Sequence, residues 1–388
     1  MFRIKTINKI SPHGLKLFPK ETYEVGSDIT DPDAILLRSA ELEPAHIPES
    51  VIAIARAGAG YNNIPVSDCT GRGIAVFNTP GGNANAVKEL VIAAILLSSR
   101  DIVGGIKWCD TIAGEADQVP DLVEKGKAKF EGPELIGKTL GVVGLGAVGV
   151  PVANAAAALG MKVIGFDPGI SVDAAWNLSR AVLKADTLES LLSKSDYVSL
   201  HLPLSDSTEG LYNADKFKIM KKGSRLINMS RGGIVNDKDL IEALNTERLS
   251  VYVTDFPTAE LIKCPRVINI PHLGASTPEA EDNCAVMAVQ QLMDYLEAGT
   301  VKNSVNLPRC DLEKGSPYRL IGINRNIPNM VGQLTTILAE EKINIMDLIN
   351  HHRDDYAYNI IDTEQKISGK TLEKIKKVEG IIRIRTIE

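Results

Sequence analysis

Thr139-Leu140-Gly141-Val142-Val143-Gly144-Leu145-Gly146-Ala147-Val148-Gly149 is an apolar strand that runs directly into G-x-G-x-x-G. A helix is expected next, over residues 147–159. Gly144 permits the tight turn, and Gly146 lets a backbone come close to a pyrophosphate. Gly149 lets the helix pack on the strand, with its N-terminus facing the phosphates. A second expected strand, Lys162–Phe166, ends in Asp167, 23 residues past Gly144. The acid that holds a ribose hydroxyl in this fold stands at about that distance, ~20 residues on. A carboxylate there repels a 2′-phosphate, which favours NAD over NADP. An ordinary Asp167-Pro168 turn is the plain alternative, and the strand–loop–helix–strand context argues against it.

Working outward, the same αβ alternation continues. Further strands are expected at Tyr197–Leu200, Ser224–Asn228, Ser250–Thr254 and Val267–Ile270. Before the loop, Ala34–Leu37, Val51–Ala55 and Ile74–Phe77 are apolar runs of strand length, each followed by small or polar residues. Strands alternating with helices predict parallel sheets, whose ligands sit beyond the carboxyl ends of the strands. Helices are expected from about Asn83 and over Pro278–Leu296, on either side of the second αβ series. One domain inserted into another through two crossing helices produces that arrangement. The stretch 104–137 is more polar and reads as a crossover. Asn303–Pro317 carries Pro308, Gly315 and Pro317 and reads as a linker. Beyond it the pattern becomes βαββαβ, a split-βαβ unit. The expected division is therefore 1–97 with 273–305 as one discontinuous domain and 98–272 as a Rossmann domain. A linker follows at 306–317, then a ferredoxin-like domain at 318–388.

Composition narrows the chemistry. A chain of 388 residues is too long for one compact core. Its 44% hydrophobic and 24% charged residues exclude disorder. A net charge of −6 argues against nucleic acid, which needs a basic face. The longest apolar run, Leu90–Leu97, falls well short of the ~20 residues that span a bilayer. The first residues lack the pattern of a signal peptide. Five scattered cysteines, none paired at metal-ligand spacing, fit a reducing cytoplasm without a metal site.

Six histidines are available as acid–base groups. His13 and His46 lie in polar turns, and His351-His352 precedes an expected hairpin tip. His201 ends a strand facing the expected cofactor, where packing and catalysis are equally open to it. His272 follows the strand at Val267, and Gly274-Ala275-Ser276-Thr277 comes next, a loop with room for substrate. A neutral imidazole near pH 7 suits proton removal from an alcohol, the partner step of hydride transfer. Arg231 lies among small residues in Asn228-Met229-Ser230-Arg231-Gly232-Gly233, where a guanidinium fork fits a carboxylate or carbonyl. Glu260 is the candidate carboxylate to orient a histidine and raise its pKa.

At these residues the sequence resembles the D-isomer-specific 2-hydroxyacid dehydrogenases. The resemblance is carried by Arg38-Ser39, Arg56-Ala57-Gly58-Ala59-Gly60-Tyr61-Asn62-Asn63-Ile64 and Asn78-Thr79-Pro80. It continues through the glycine loop, Asp167, His201-Leu202-Pro203-Leu204, the Arg231 segment and Pro271-His272-Leu273-Gly274-Ala275-Ser276-Thr277. The last 70 or so residues look like the ACT-type regulatory domain of the family's phosphoglycerate-oxidising branch. The resemblance implies NAD-dependent oxidation of 3-phosphoglycerate to 3-phosphohydroxypyruvate, the first step of L-serine biosynthesis. His272 would take the hydroxyl proton, Glu260 would support it, and Arg231 would hold the carboxylate. Cofactor contacts are implied for Gly144, Gly146, Ala147, Val148, Gly149, Asp167, His201, Pro203, Thr208, Met229, Asp255 and Gly274, with Asp255 on the carboxamide. Substrate contacts are implied for Arg38, Ser39, Arg56, Gly58, Ala59 and Asn78, with Arg38 and Arg56 on the phosphate. The resemblance also implies a homodimer or homotetramer, and a serine effector near Asn324, Asn326 and Asn344. Another D-2-hydroxyacid dehydrogenase, reducing glyoxylate or 2-oxoglutarate, remains open, as does a non-catalytic NAD-sensing protein.

Overall fold

The computed structural model describes residues 1–388, which divide into two compact units. One comprises Met1–Asn83 with Pro278–Glu388, and the other Ala84–Thr277. The divisions fall before the first long helix and at the start of the second, so each helix stays whole within one unit. The sequence division at 97/98 and 272/273 would have left the helix Ala84–Ser99 outside the unit whose core it helps to form.

The first unit begins with a five-stranded parallel sheet. Its strands are β1 (Phe2–Ile7), β2 (Tyr23–Gly26), β3 (Ala34–Leu37), β4 (Ala53–Arg56) and β5 (Ala75–Phe77), in the order β2-β1-β3-β4-β5. All four residues of β3 are buried. A strand covered on both faces needs such an unbroken apolar run rather than alternation. The helix Pro278–Ala298 covers one face, placing Ala285, Ala288, Val289 and Leu292 in the core with Leu36, Ala55 and Phe77.

The second unit is a seven-stranded parallel sheet. It contains β6 (Thr139–Val143), β7 (Lys162–Phe166), β8 (Val182–Lys184), β9 (Tyr197–Leu200), β10 (Ser224–Asn228), β11 (Leu249–Thr254) and β12 (Val267–Asn269). The order is β12-β11-β10-β9-β6-β7-β8, so the winding reverses between β6 and β9, where an open α/β sheet forms its ligand crevice. The helix after the glycine loop spans Gly149–Ala158.

The stretch read as a crossover is largely helical, with Ile102–Ile112 and Val119–Gly126 joined and followed by 3-10 turns. Its Gly and Pro residues are compatible with helix here. The Asp101 side chain accepts from Gly104 N–H and caps the first helix, while Pro120 occupies a first-turn position that needs no N–H donor.

The chain ends in a four-stranded antiparallel sheet of β13 (Tyr318–Arg325), β14 (Ile345–Arg353), β15 (Tyr356–Thr363) and β16 (Ile381–Ile387), ordered β14-β15-β13-β16. Alternation sorts its faces. Leu320 and Ile361 pack on the helices Met330–Glu340 and Gly369–Lys376, while Ile321, Ile323, Tyr358 and Ile360 pack with Tyr295 and Leu296. The sheet therefore shares a core with the first unit. Asn329 opens the first of these helices at φ +68°, a left-handed conformation that Asn tolerates.

Candidate active site

In the second unit the glycine loop leaves β6 through Gly144 at φ +90°. A Cβ there would strike the His201 carbonyl, and one at Gly149 would strike the Gly144 carbonyl. At Gly146 the same position faces open space. Two glycines therefore close the turn, while the third leaves a clear approach over the start of a ten-residue helix. Val150 N–H is taken by the Gly146 carbonyl at 3.2 Å and Val152 N–H by the Val148 carbonyl at 3.1 Å, and Pro151 has none, so the helix start would favour phosphate oxygens through the positive end of its dipole. Asp167 ends β7 and is held by two backbone donors, Leu145 N–H and Gly169 N–H, each at 2.8 Å. Its carboxylate is thereby fixed beside the loop.

His201 follows β9, and Ser199 Oγ lies 2.9 Å from its Nε2. Loss of water around this ring pushes its pKa down to about 4, so it is neutral at pH 7. Thr208 Oγ1 donates to the Pro203 carbonyl (2.6 Å) and accepts from Ser205 N–H (2.8 Å), pinning the turn after β9. Met229, just past β10, is buried. Asn228 shapes the Arg231 loop by accepting from Ser230 N–H and donating to the Arg231 carbonyl at 2.9 Å.

Asp255, directly after β11, is 1% exposed, and its Oδ1 has no hydrogen-bond partner. Burial raises its pKa; His272, backbone donors including Gly274 N–H, and Arg231 act in the opposite direction. The His272 ring rests on Phe256, with centroids 4.7 Å apart, and Phe256 also lies against Gly232. Packing thus groups Arg231, Asp255, His272 and Gly274 at the carboxyl ends of β10, β11 and β12. Glu260 is exposed in the first turn of the short helix Ala259–Ile262 and makes no hydrogen bond or ion pair to His272. The charge of Asp255 acts on that of His272, a coupling the sequence did not mark because the two follow separate strands, β11 and β12.

A buried acceptor without a partner, an open face at Gly146 and a fixed acid at β7 together fit a dinucleotide. Asp255 Oδ1 would accept from an amide N–H, the glycine loop would receive the phosphates and Asp167 would meet the ribose.

In the first unit a second group forms at the carboxyl ends of β3, β4 and β5. Arg56 Nε donates to Asn63 Oδ1 at 2.9 Å, and Asn63 Nδ2 donates to the Arg38 and Ala40 carbonyls at 3.3 and 2.6 Å. The Arg56 guanidinium lies where a Cβ on Gly58 would be, so a side chain there would displace it. Asn78 Nδ2 donates to the Ala59 carbonyl at 2.6 Å. Arg38, Arg56, Gly58, Ala59 and Asn78 thus form one neighbourhood, with Ser39 next to Arg38. Two further residues join it that the sequence did not mark. Glu281 forms an ion pair with Arg38 at 2.7 Å, and the Cys284 thiol, its pKa raised by burial, lies against Gly82.

Of the expected effector residues, Asn324 is fully buried. It accepts from Asn359 Nδ2 at 2.6 Å, while Asn350 Nδ2 donates to Asn359 Oδ1 at 2.7 Å. This amide ladder across β13, β15 and β14 occupies the Asn324 side chain. Asn326 and Asn344 are exposed.

Residues 95–274 match the family model described as D-isomer specific 2-hydroxyacid dehydrogenase, NAD binding domain. This stretch is an NAD binding domain of the D-isomer specific 2-hydroxyacid dehydrogenase family. The chain is similar to curated proteins named D-3-phosphoglycerate dehydrogenase. The one from Synechocystis sp. is 35% identical over 327 residues, or 80% of this chain and 55% of the relative. The one from Methanocaldococcus jannaschii is 31% identical over 338 residues, or 84% of this chain and 61% of the relative. The chain thus spans little more than half the length of these relatives. Among solved structures, the NAD+-bound 3-phosphoglycerate dehydrogenase of Entamoeba histolytica aligns with a TM-score of 0.62 at 29% identity, covering 79% of this chain and 98% of that one.

Proposed function

We propose that the protein is an NAD-dependent dehydrogenase that oxidises 3-phosphoglycerate to 3-phosphohydroxypyruvate at the head of L-serine synthesis. The observation that carries the phosphorylated substrate is the neighbourhood of Arg38 and Arg56, two guanidinium groups at adjacent strand ends with a backbone turn at Gly58. The names of the curated relatives point the same way.

In this reading His272 takes the proton of the substrate hydroxyl as the hydride leaves the same carbon. Bound NAD supplies the hydride acceptor. Arg231 holds the carboxylate and polarises the carbon–oxygen bond. Gly58 and Ala59 offer backbone donors to the carboxylate, and Arg38 and Arg56 take the phosphate. Ser39 and Asn78 complete the substrate contacts. The cofactor is assigned to Gly144, Gly146, Ala147, Val148, Gly149, Asp167, His201, Pro203, Thr208, Met229, Asp255 and Gly274. Two carboxylates are candidates to support the imidazolium of His272. Family resemblance offers Glu260. The packing described above favours Asp255, whose charge is in the field of His272. Also proposed are a cytoplasmic location, a homodimer or homotetramer, and a serine effector contacting Asn326 and Asn344.

Steady-state kinetics of Arg38→Ala test the phosphate assignment. The KM for 3-phosphoglycerate should rise at least tenfold, while that for D-glycerate, which lacks the phosphate, should hardly change. Equal effects on both substrates contradict it.

A further inference from the structure

A second cationic site lies in the first unit, at the junction between the segment leading out of the helix Pro278–Ala298 and the outer strand of the C-terminal sheet. One wall of a cleft of about 680 Å³ is residues 303–309, and the other is the last four residues of β14. Arg309 stands on the first wall, and His351, His352 and Arg353 on the second. The lining contains no Asp or Glu. Neither arginine forms an ion pair, and the Arg309 guanidinium makes no hydrogen bond. The nearest carboxylates in sequence, Asp354 and Asp355, lie in the turn after β14, and Asp311 is paired with Lys302.

The walls are already joined. The carbonyl of Arg309 accepts from His351 at 2.7 Å, and that of Ser304 accepts from Arg353 Nη1 at 3.0 Å. A carbonyl oxygen can only accept, so Nδ1 of His351 carries the proton and Nε2 points elsewhere. The bonds hold His351 and Arg353 in place and bring no carboxylate to either.

Two guanidinium groups and two imidazoles line one cleft that holds no carboxylate, in a chain whose net charge is −6. We propose that this cleft is a binding site for a small phosphate-bearing ligand. Guanidinium forks and imidazole donors match the oxygens of a phosphate dianion. The volume is that of a small-molecule site, and a polynucleotide needs an extended basic stripe instead. The apolar part of the lining is Leu307 and Pro308, and no Phe, Tyr or Trp lines the cleft. The ligand of this proposal is inorganic phosphate or a phosphate ester without a base. It would bridge both walls and tie the C-terminal sheet to the segment 303–309.

Calorimetric titration of the full chain with glycerol 2-phosphate tests this, run alongside the same titration of Arg309→Ala, Arg353→Ala and His352→Gln. Arg38→Ala serves as a control that removes the proposed substrate contact. One binding event should survive in Arg38→Ala and weaken at least tenfold in each cleft variant, with each variant's melting temperature kept near wild type. Inorganic phosphate should compete for that event, whereas malonate and chloride at equal ionic strength should not. The proposal is overturned if no event survives in Arg38→Ala, if the surviving event is unchanged in the cleft variants, or if malonate competes equally. Tighter binding of AMP than of glycerol 2-phosphate would contradict the ligand class.

Discussion

With its pKa near 4, His201 carries no proton in the folded protein at a pH where an unfolded histidine would. The unfolded group titrates near ~6.5. Between these values the unfolded chain binds one more proton than the native one, so stability falls as the pH drops. The contribution of His201 is complete above about 6.5 and is lost progressively toward about 4. Urea unfolding at pH 7.5 and pH 5.0 should show wild type losing roughly 2 kcal/mol more than His201→Gln over that interval. Parallel losses would mean that His201 is not held neutral by its surroundings. Asp255 shows why some residue roles elude sequence reading. Its position after an apolar strand was legible, but its burial and its nearness to His272 depend on how β11 and β12 align. The Arg38–Glu281 pair is similar, since it joins residues far apart in the chain.

The glycine loop is the element whose reading needed least tertiary information, because steric limits on three backbone positions leave a local signature. Its two kinds of glycine separate by experiment. Gly149→Ala forces a methyl into the Gly144 carbonyl and should destabilise the protein by about 1–3 kcal/mol. Gly146→Ala adds a methyl to open space, so its unfolding midpoint should stay near wild type while NAD affinity falls at least tenfold. Unchanged NAD affinity in Gly146→Ala would move the pyrophosphate away from this loop. Strands such as β3, β6, β7, β9 and β10 were legible end to end from their apolar centres, because strands covered on both faces carry apolar runs rather than alternation. The edge strand β8 was missed. It has three residues, two of them exposed, and no apolar run marks it. The helices Ile102–Ile112 and Val119–Gly126 were missed because Gly104, Gly105 and Pro120 read as breaks, although capping and first-turn placement make them compatible with helix.

Over the whole molecule, the −6 charge is offset locally where anions are expected: at Arg38 with Arg56, at Arg231, and at the helix start after Gly146. The C-terminal sheet is fastened into the first unit by Arg319. Fully buried, this arginine pairs with Asp362 and donates to the carbonyls of Ala298, Leu312 and Glu313. These bonds tie the sheet to the end of the long helix and to the linker, so the segment expected to separate two domains lies against both. Sequence reading identified the βαββαβ order but not this attachment, which depends on one arginine reaching three other chain segments. In the proposed reaction the second unit carries the cofactor contacts, His272 and Arg231, and the first carries the phosphate contacts Arg38 and Arg56. The most direct test follows NADH formation from NAD and 3-phosphoglycerate by wild type and His272→Ala, with the NAD dissociation constant measured for both. Wild type should turn over, and the variant should lose ~10²–10⁴-fold in kcat while binding NAD unchanged. Wild type that binds NAD without oxidising 3-phosphoglycerate, or a variant that turns over as wild type does, would contradict the account.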